Sequence, residues 1–367
     1  MLNRRDFARL AAAAAAATTV PSSLLAQAAA PKKKVRYAAI GLGLISTQHF
    51  MPGTRISQIG EITGLVSGHP DKAHKFAAEY NVPEANIYNY ENFDKIRDNP
   101  NIDAVYIGLP NSMHAEYTIR AAQAGKHVLC EKPMATSVAD AEAMIAACKK
   151  ADRKLMIAYR CHFQSSHVQA RELVRSGAIG KVQVIEGSAG FNSAPGVWRL
   201  NKKLAGGGPL MDIGVYALNA CRFVLGEEPS QISAYTSSDP ADPRFTEVEE
   251  NISWTMKFPS GALASMTTTY GANQEGFVRL HGSKGVVEIN GFGYAGIGMT
   301  LKQSGQGRND QTTQADSARD PYQFLLESDY FSRCVLDNKE PSEASGEEGK
   351  KDLAIMKQIY QSAGIKS

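Results

Sequence analysis

Three residues combine the side-chain types and the spacing that proton transfer requires. Asp212 and Tyr216 are four positions apart and follow a run of three glycines, 206–208. If residues 210–222 form a helix, both side chains lie on one face, and the glycines let that helix begin close to a ligand. A lysine that lies beside a phenol favours the phenolate, and Lys132 is a candidate for this role: next to Tyr216, it would lower the pKa of the phenol and make it an acid–base group. In the alternative reading, Lys132 caps a strand end, Tyr216 packs in the core and Asp212 is a charge at a helix N-terminus.

A glycine-rich loop near the start of the chain has the pattern of a dinucleotide site. The apolar strand 35–40 runs into Gly41, Gly43, Leu44 and Ile45, and a helical segment follows. The first glycine permits a tight turn, and the second lets a pyrophosphate approach the helix N-terminus. Ser46 stands where a third glycine would ease helix packing, and it is small enough to serve.

The end of the next strand indicates which dinucleotide binds. An NAD site usually places an acidic residue about 20 residues beyond the glycines, on the ribose. Strand 61–67 ends instead in Ser67 and Gly68, and Lys72 follows. A hydroxyl and an ammonium attract a 2′-phosphate that a carboxylate would repel, so we predict NADP rather than NAD. The alternative is that Lys72 is an exposed helix lysine paired with Asp71 or Glu79.

Strands and helices then alternate, which predicts an α/β Rossmann domain with a doubly wound parallel sheet. The predicted strands span 103–107, 127–130 and 154–159, with helices over 116–124 and 138–150. In such sheets the ligand lies beyond the carboxyl ends of the strands. The residues at these ends are Pro110, Asn111, His114, Glu131 and Lys132.

From Arg160 onward the pattern predicts an α+β domain with a large, mainly antiparallel open sheet. The strands are expected at 182–186, 231–236, 250–257, 262–269, 277–281 and 286–290. The polar stretch 303–320 predicts a long loop, and helices over 321–337 and 347–363 close the chain. We therefore divide the chain into residues 1–28, a nucleotide domain 29–158, and a substrate domain 159–367, whose exposed sheet face predicts a homodimer.

The first 28 residues have the composition of an export signal. Arg4 and Arg5 precede Phe7, an alanine-rich run follows, and Ala26-Gln27-Ala28 forms a small-residue cleavage site. The paired arginines resemble a twin-arginine signal, so we expect the folded protein to reach the periplasm through that export machinery. An amphipathic helix or a membrane anchor is the alternative. No later segment is long and apolar enough to span a bilayer, so the mature protein is expected not to be membrane-bound.

Charge and cysteine content exclude other classes. The chain of 367 residues has a formal net charge of +3, and three of its arginines fall in the first nine positions. Nucleic-acid binding requires a dense basic patch, so this class is excluded. The five cysteines are scattered, without the spacing of a zinc site, and we predict no metal.

Several of these motifs together resemble the Gfo/Idh/MocA oxidoreductase family over nearly all of the chain after residue 34. They are Gly41-x-Gly43, Pro110-Asn111-x-x-His114, Glu131-Lys132-Pro133 and the glycine run with Asp212 and Gly214. Residues 130–137, 159–162 and 211–216 look more specifically like the glucose–fructose and aldose–aldose oxidoreductases. Many family members have histidine at the position of Tyr216.

The resemblance implies that Lys132, Asp212 and Tyr216 meet over the nicotinamide of a tightly bound NADP. The expected reaction oxidises an aldose at C1 to a lactone and reduces a second sugar to an alditol, with Tyr216 exchanging the proton. Arg160 and His162 are candidate sugar contacts, and Arg160 also a cofactor contact. Trp198 and Arg199 would stack on and bond a pyranose, unless Trp198 is a core residue. His114 is expected to hold a turn near the nicotinamide.

Two other activities remain open. An ordinary aldose dehydrogenase of this fold would release its cofactor, and an NAD-dependent glycoside hydrolase would use the same fold for redox-assisted hydrolysis. The missing acid after strand 61–67 and the presence of Tyr216 argue against the hydrolase.

Overall fold

A six-stranded parallel sheet forms the first half of the computed structural model, which describes residues 33–294, 298–305, 308–315 and 322–365. The strand order is β3-β2-β1-β4-β5-β6, and every neighbouring pair is parallel. The strands are β1 Val35–Ile40, β2 Gly60–Val66, β3 Ile87–Tyr88, β4 Ala104–Ile107, β5 His127–Glu131 and β6 Leu155–Ala158. This confirms the predicted doubly wound sheet.

Helices cover this sheet because its central strands are apolar on both faces. All four residues of β4 are buried, for example. The helices that connect these strands are α1 Met51–Arg55, α2 Pro70–Tyr80, α3 His114–Gln123 and α4 Val138–Lys150. A wide π-helical turn, Ile45–Phe50, leads from the glycine loop into α1. The predicted boundary between residues 158 and 159 falls directly after β6 and stays a prediction.

An eight-stranded, mainly antiparallel sheet follows, in the order β14-β13-β12-β11-β7-β10-β9-β8. The pair β7–β10 is parallel. The strands are β7 Val182–Gly190, β8 Gln231–Ser237, β9 Asn251–Lys257, β10 Leu263–Thr269, β11 Gln274–Gly282, β12 Gly285–Asn290, β13 Gly298–Gly305 and β14 Arg308–Ala315. The mainly antiparallel sheet is confirmed.

One face of this sheet is apolar and buried, because side chains alternate along each strand. On β9, Ile252, Trp254 and Met256 are buried while the residues between them are exposed. The helices of this half are α5 Ser165–Arg175, the single turn α6 Lys202–Ala205, α7 Val215–Leu225, α8 Tyr322–Leu336 and α9 Gly346–Ser362. Helix α7 packs on β7 and β11. Helix α8 packs on β1 and β2 of the first sheet and on helix α1.

The prediction of a long loop over residues 303–320 was wrong. Strand β13 extends to Gly305, and β14 pairs with it antiparallel from Arg308 to Ala315. Backbone hydrogen bonds hold an edge hairpin of this kind, and they require no apolar alternation in the sequence. The polar composition therefore concealed the two strands.

The described helices include none that is long and apolar enough to cross a membrane. The predicted export signal, residues 1–28, lies outside the described residues. All five cysteines are buried and free of disulfides. Within the described part of the chain, no cluster of three or more His, Cys, Asp or Glu side chains could hold a metal ion.

Candidate active site

A cleft of about 500 Å³ lies between the carboxyl end of the parallel sheet and the buried side of the antiparallel sheet. It brings together most of the predicted catalytic and sugar-binding residues. Those at its surface are Ile45, Asn111, Glu131, Lys132, Arg160, Trp198, Arg199, Asp212 and Tyr216. His162, a predicted sugar contact, is not at this surface.

Lys132 joins the two halves of the cleft. It follows the last residue of β5, and its Nζ donates a 2.6 Å hydrogen bond to the backbone carbonyl of Asp212. The same Nζ lies 3.6 Å from Asp212 Oδ1, and only 10% of the lysine side chain is exposed. The peptide bond between Lys132 and Pro133 is cis. The contacts with Asp212 hold the ammonium against the π-helical turn Leu210–Gly214, which precedes α7.

The Asp212 carboxylate is surrounded by hydrogen-bond donors. Arg199 Nε lies 2.9 Å from Oδ2, and the Tyr270 hydroxyl donates to the same oxygen over 2.7 Å. Burial raises the pKa of Asp212, but Lys132 and Arg199 outweigh it and hold that pKa below its ordinary value. Asp212 is thus an ionised carboxylate that orients its neighbours. Tyr270, which lies just beyond the end of β10, was not predicted as a site residue.

Tyr216 lies between two cations. Lys132 Nζ is 4.3 Å from the centroid of its ring, and Arg160 Cζ is 4.9 Å from it. Burial raises the pKa of the Tyr216 phenol above its ordinary value, and Arg160 is the largest opposing influence. The expectation of a lowered pKa was therefore wrong: Lys132 lies against the ring, and desolvation outweighs the effect of the nearby cations. Tyr216 carries its proton at neutral pH.

Arg160 is fixed behind Tyr216. One Nη donates to the Gln323 side chain over 2.7 Å, and the other bonds the carbonyl of Phe292. The guanidinium also lies 4.7 Å from the ring of Tyr294, so it contacts two tyrosine rings. Tyr294 lines the cleft and was not predicted. In the sequence, its position in the glycine-rich segment 291–296 was the one feature that could have indicated a site residue.

Trp198 is a cleft residue rather than a core residue. Its side chain is half-buried and lines the cavity, and Arg199 Cζ lies 4.8 Å from its ring. An indole at the wall of a cleft can pack its apolar face against the CH groups of a bound ring. Phe191 and Phe292, also unpredicted, add apolar surface to the same cleft.

The glycine loop fits a dinucleotide. Gly41 has φ +82°, and a Cβ there would lie 2.6 Å from the Gly108 carbonyl oxygen, so only glycine permits the turn. A Cβ on Gly43 would lie 3.9 Å from the Gly108 carbonyl oxygen, which is an ordinary contact distance. Ser46 is fully buried, and its hydroxyl donates to the Gly41 carbonyl over 2.5 Å, which stabilises the turn. Leu44, in contrast, is 71% exposed at the tip of the loop.

Lys72 reaches this loop from the first turn of α2. Its Nζ donates to the Leu42 carbonyl over 2.9 Å, although the residue is exposed overall. Ser67 is buried directly after β2, and its Oγ accepts a 3.1 Å hydrogen bond from the His69 amide. Gly68 packs against the ring of Tyr90. Lys72 therefore places a positive charge beside the loop, where a 2′-phosphate would be neutralised.

The turn after β4 is held by buried polar contacts. His114 is fully buried, with Nδ1 2.9 Å from the Pro133 carbonyl oxygen and Nε2 2.9 Å from that of Leu109. Burial lowers the pKa of His114. Asn111, which follows Pro110, donates from Nδ2 to the Ala205 carbonyl over 2.8 Å. His114 thus ties two loops together beneath the cleft, and Asn111 ties the turn to α6.

His162 lies behind the cleft. Its Nε2 is 2.7 Å from Asn219 Oδ1, its ring stacks 4.1 Å from that of Phe223, and the residue is buried. Burial lowers the pKa of His162 to about 3, so it is a neutral packing residue. Its position gives no support to the predicted sugar contact.

The two halves of the chain match the two domains of one oxidoreductase family. Residues 35–159 match the Gfo/Idh/MocA oxidoreductase family with an NAD-binding Rossmann fold, and residues 167–288 match the Gfo/Idh/MocA C-terminal domain. The chain therefore belongs to the Gfo/Idh/MocA oxidoreductases.

Three relatives are similar to this chain over most of its length. The structure is similar to that of an aldose–aldose oxidoreductase from Caulobacter crescentus, complexed with glycerol. The two share 45% identity and a TM-score of 0.86, over 90% of this chain and 98% of that one. A D-xylose 1-dehydrogenase [NADP(+)] from Haloarcula marismortui is 33% identical over 91% of this chain and 92% of its own. A levoglucosan dehydrogenase, 23% identical with a TM-score of 0.79, shares the fold over 90% of this chain and 98% of its own.

Proposed function

We propose that the protein is an NADP-dependent sugar oxidoreductase that keeps its nucleotide bound between two half-reactions. In the first, an aldose loses a hydride and a proton at C1 and becomes a lactone. In the second, a second sugar gains both at its carbonyl and becomes an alditol. The observation that carries this proposal is the meeting of Lys132, Asp212 and Tyr216 in a cleft that adjoins the Gly41 loop. The similarity to an aldose–aldose oxidoreductase supports it.

The residues present fit the cofactor. The Gly41–Ile45 loop would hold the pyrophosphate, and Ser67 and Lys72 the 2′-phosphate. The nicotinamide, when bound, supplies the hydride acceptor and donor. All other steps concern hydrogen bonding and proton movement by side chains of this chain.

Tyr216 is the group that exchanges the proton. Because burial keeps its phenol protonated, its hydroxyl can donate to the carbonyl oxygen of the second sugar. In the oxidative direction the phenolate accepts the C1 hydroxyl proton, and Arg160 and Lys132 stabilise the resulting negative charge. Asp212 holds Lys132 and Arg199 in place. Trp198 would stack on the apolar face of a sugar ring.

The test is to purify the protein without added nucleotide. We expect NADP(H) in the extract, reduction of that bound nucleotide by D-xylose or D-glucose, and reoxidation by a second sugar. The variant Lys132→Met should still contain nucleotide but should not reduce it. An extract without nucleotide, together with activity only when NADP is added, would leave an ordinary dehydrogenase that releases its cofactor.

We further propose export through the twin-arginine machinery to the periplasm, on the basis of Arg4, Arg5 and the alanine-rich run that follows. Replacement of both arginines by lysine should retain the uncleaved protein in the cytoplasm. Fractionation followed by mass determination of the N-terminus checks this. An equally exported double variant would contradict it.

A homodimer through the outer face of the antiparallel sheet is also proposed. Val184, Leu263 and Tyr235 on that face are 45%, 53% and 80% exposed, and Val184 and Leu263 are cross-strand neighbours, so the face carries an exposed apolar patch. Light scattering of the double variant Leu263→Lys, Tyr235→Lys should give half the mass of the wild type. An unchanged mass would place the interface elsewhere.

A further inference from the structure

We infer that Glu249 and Tyr360 are positioning residues for the turn that carries Asp212, Leu210–Gly214. This inference rests on the proposed function. Tyr360 is on the last helix, α9, and Glu249 precedes β9. Neither lines the cleft. Together their buried side chains form a hydrogen-bonding support for the segment 206–212, which we call the seat. Asp212, at the end of this segment, contacts Lys132.

The seat consists of hydrogen bonds to both sides of Pro209. Glu249 Oε2 accepts from the Gly208 amide over 2.9 Å, and Oε1 accepts from the Leu210 amide over 3.4 Å. Proline has no N–H, so these are the two backbone donors that this stretch can offer a single carboxylate. The Tyr360 hydroxyl donates to Oε1 over 2.7 Å, which fixes the rotation of the carboxylate.

The space beside Glu249 and Tyr360 admits only glycine at positions 207 and 208. A Cβ on Gly208 would lie 2.5 Å from the Glu249 carbonyl oxygen and 2.9 Å from Glu249 Cδ. A Cβ on Gly207 would lie 2.9 Å from Tyr360 Cζ. Both contacts are closer than real Cβ atoms allow, so any side chain would displace the segment. Glu249 and Tyr360 are only 7% and 4% exposed, so solvent does not compete for these hydrogen bonds.

The seat acts on the reacting groups over a short length of chain. The Asp212 carbonyl that accepts from Lys132 Nζ is two residues beyond Leu210. The π-helical turn Leu210–Gly214 then leads into α7, which carries Tyr216. A second attachment lies further along α7, where Asn219 Nδ2 donates to Asp352 Oδ2 of α9 over 2.8 Å. Helix α9 therefore holds the catalytic segment at two points.

A displaced seat should slow the chemical step more than it weakens nucleotide binding, because the glycine loop belongs to another part of the fold. A displacement of about 1 Å can cost on the order of 100-fold in rate. We therefore expect Glu249→Ala to lower kcat at least about tenfold, with the Kd for NADPH unchanged. Glu249→Gln keeps an acceptor for Tyr360 and should retain more activity than Glu249→Ala.

The experiment compares Glu249→Ala, Glu249→Gln and Tyr360→Phe with the control Tyr330→Phe. The Tyr330 hydroxyl accepts two backbone hydrogen bonds, from Ser342 and Glu343, outside the cleft. Hydrogen exchange of the peptide 205–216 and acetylation of Lys132 by acetic anhydride, relative to exposed Lys149, are measured by mass spectrometry. The primary isotope effect on kcat with D-xylose deuterated at C1 is measured in parallel.

In the Glu249 variants we expect faster exchange at Gly208 and Leu210, faster acetylation of Lys132 and a larger isotope effect, and in Tyr330→Phe none of these. Lower thermal stability with wild-type exchange, acetylation and kcat would overturn the inference. If the wild type oxidises no aldose, the proposed function fails, while exchange and acetylation still decide whether the seat positions Lys132.

Discussion

Lys132 Nζ and the backbone carbonyl oxygen of Asp212 are 2.6 Å apart, which joins the end of β5 to the turn before α7. The bond runs between the two sheets, so the cleft has its catalytic shape only when both are in place. The lysine contacts Asp212 through the main chain, which leaves two further ammonium hydrogens for a sugar hydroxyl or for the face of Tyr216.

Replacement of Lys132 by methionine should remove hydride transfer while nucleotide binding persists. Methionine has a similar length but cannot donate a hydrogen bond or stabilise a negative charge, and the loss of one such positioned donor typically costs about 100- to 1,000-fold. Single-turnover reduction of bound nucleotide measures the rate, and fluorescence titration with NADPH measures binding. Turnover equal to that of the wild type would remove the main reason to consider the protein an enzyme.

The cofactor preference should change with Ser67→Asp. A carboxylate there would bond the ribose 2′-hydroxyl of NAD and repel a 2′-phosphate, so the ratio of kcat/KM for NAD to that for NADP should rise. Lys72→Met should weaken NADP alone, because Lys72 Nζ lies beside the loop at the Leu42 carbonyl. Lys75→Met, on the same helix, is the matched control. An unchanged preference in Ser67→Asp would contradict the assignment of NADP.

The sequence predicted the parts of this molecule that depend on local pattern. Buried apolar strands, glycine turns and capped helices can be recognised from a single sequence. Helix α4, for example, spans Val138–Lys150 as predicted. The cluster of Lys132, Asp212 and Tyr216 followed from strand ends, helical spacing and the family resemblance. The hairpin β13–β14 did not, since pairing of polar strands depends on a neighbouring edge that the local sequence does not describe.

Contacts between distant segments were also beyond the sequence. Tyr270 reaches Asp212 from just beyond the end of β10, and Tyr294 contacts Arg160 from a loop 134 positions away. The protonation of Tyr216 depends on how completely the fold excludes water, a three-dimensional property that overrode the expected effect of Lys132.

The two proposed half-reactions should respond differently to pH. Because the pKa of Tyr216 is raised, its protonated form persists through neutral and moderately alkaline pH, and the reductive half-reaction should have a flat rate there. The oxidative half-reaction needs the phenolate, so its rate should rise about tenfold per pH unit over the same range. Stopped-flow fluorescence of the nicotinamide measures both.

Tyr216→Phe and Tyr294→Phe distinguish the two phenols that flank Arg160. The first should abolish the pH-dependent increase and lower the rate by about 100-fold or more. The second should alter the KM for sugar and leave the slope intact. A slope that survives in Tyr216→Phe would identify another proton acceptor.

Glu327 on α8 should make the protein less stable at high pH. Within the described residues neither of its carboxylate oxygens has a hydrogen-bond partner, and the residue is fully buried. Burial, with the nearby Glu131 adding to it, raises the pKa of Glu327 well above its ordinary value, while Arg160 opposes the shift. The folded state thus binds a proton that the unfolded state releases. Stability from this group is complete below the ordinary glutamate pKa and falls as pH rises, by about 1.4 kcal/mol per unit until the folded-state pKa is reached.

Glu327→Gln keeps the shape of the neutral acid and cannot ionise. Its melting temperature relative to the wild type should therefore increase steadily from pH 5 upward, whereas exposed Glu91→Gln should show a constant difference. Differential scanning calorimetry across pH 5 to 9 measures both. A Glu327→Gln difference that does not depend on pH would mean that Glu327 has an ordinary pKa in the folded protein, and hence that water or a movement of Arg160 compensates its charge.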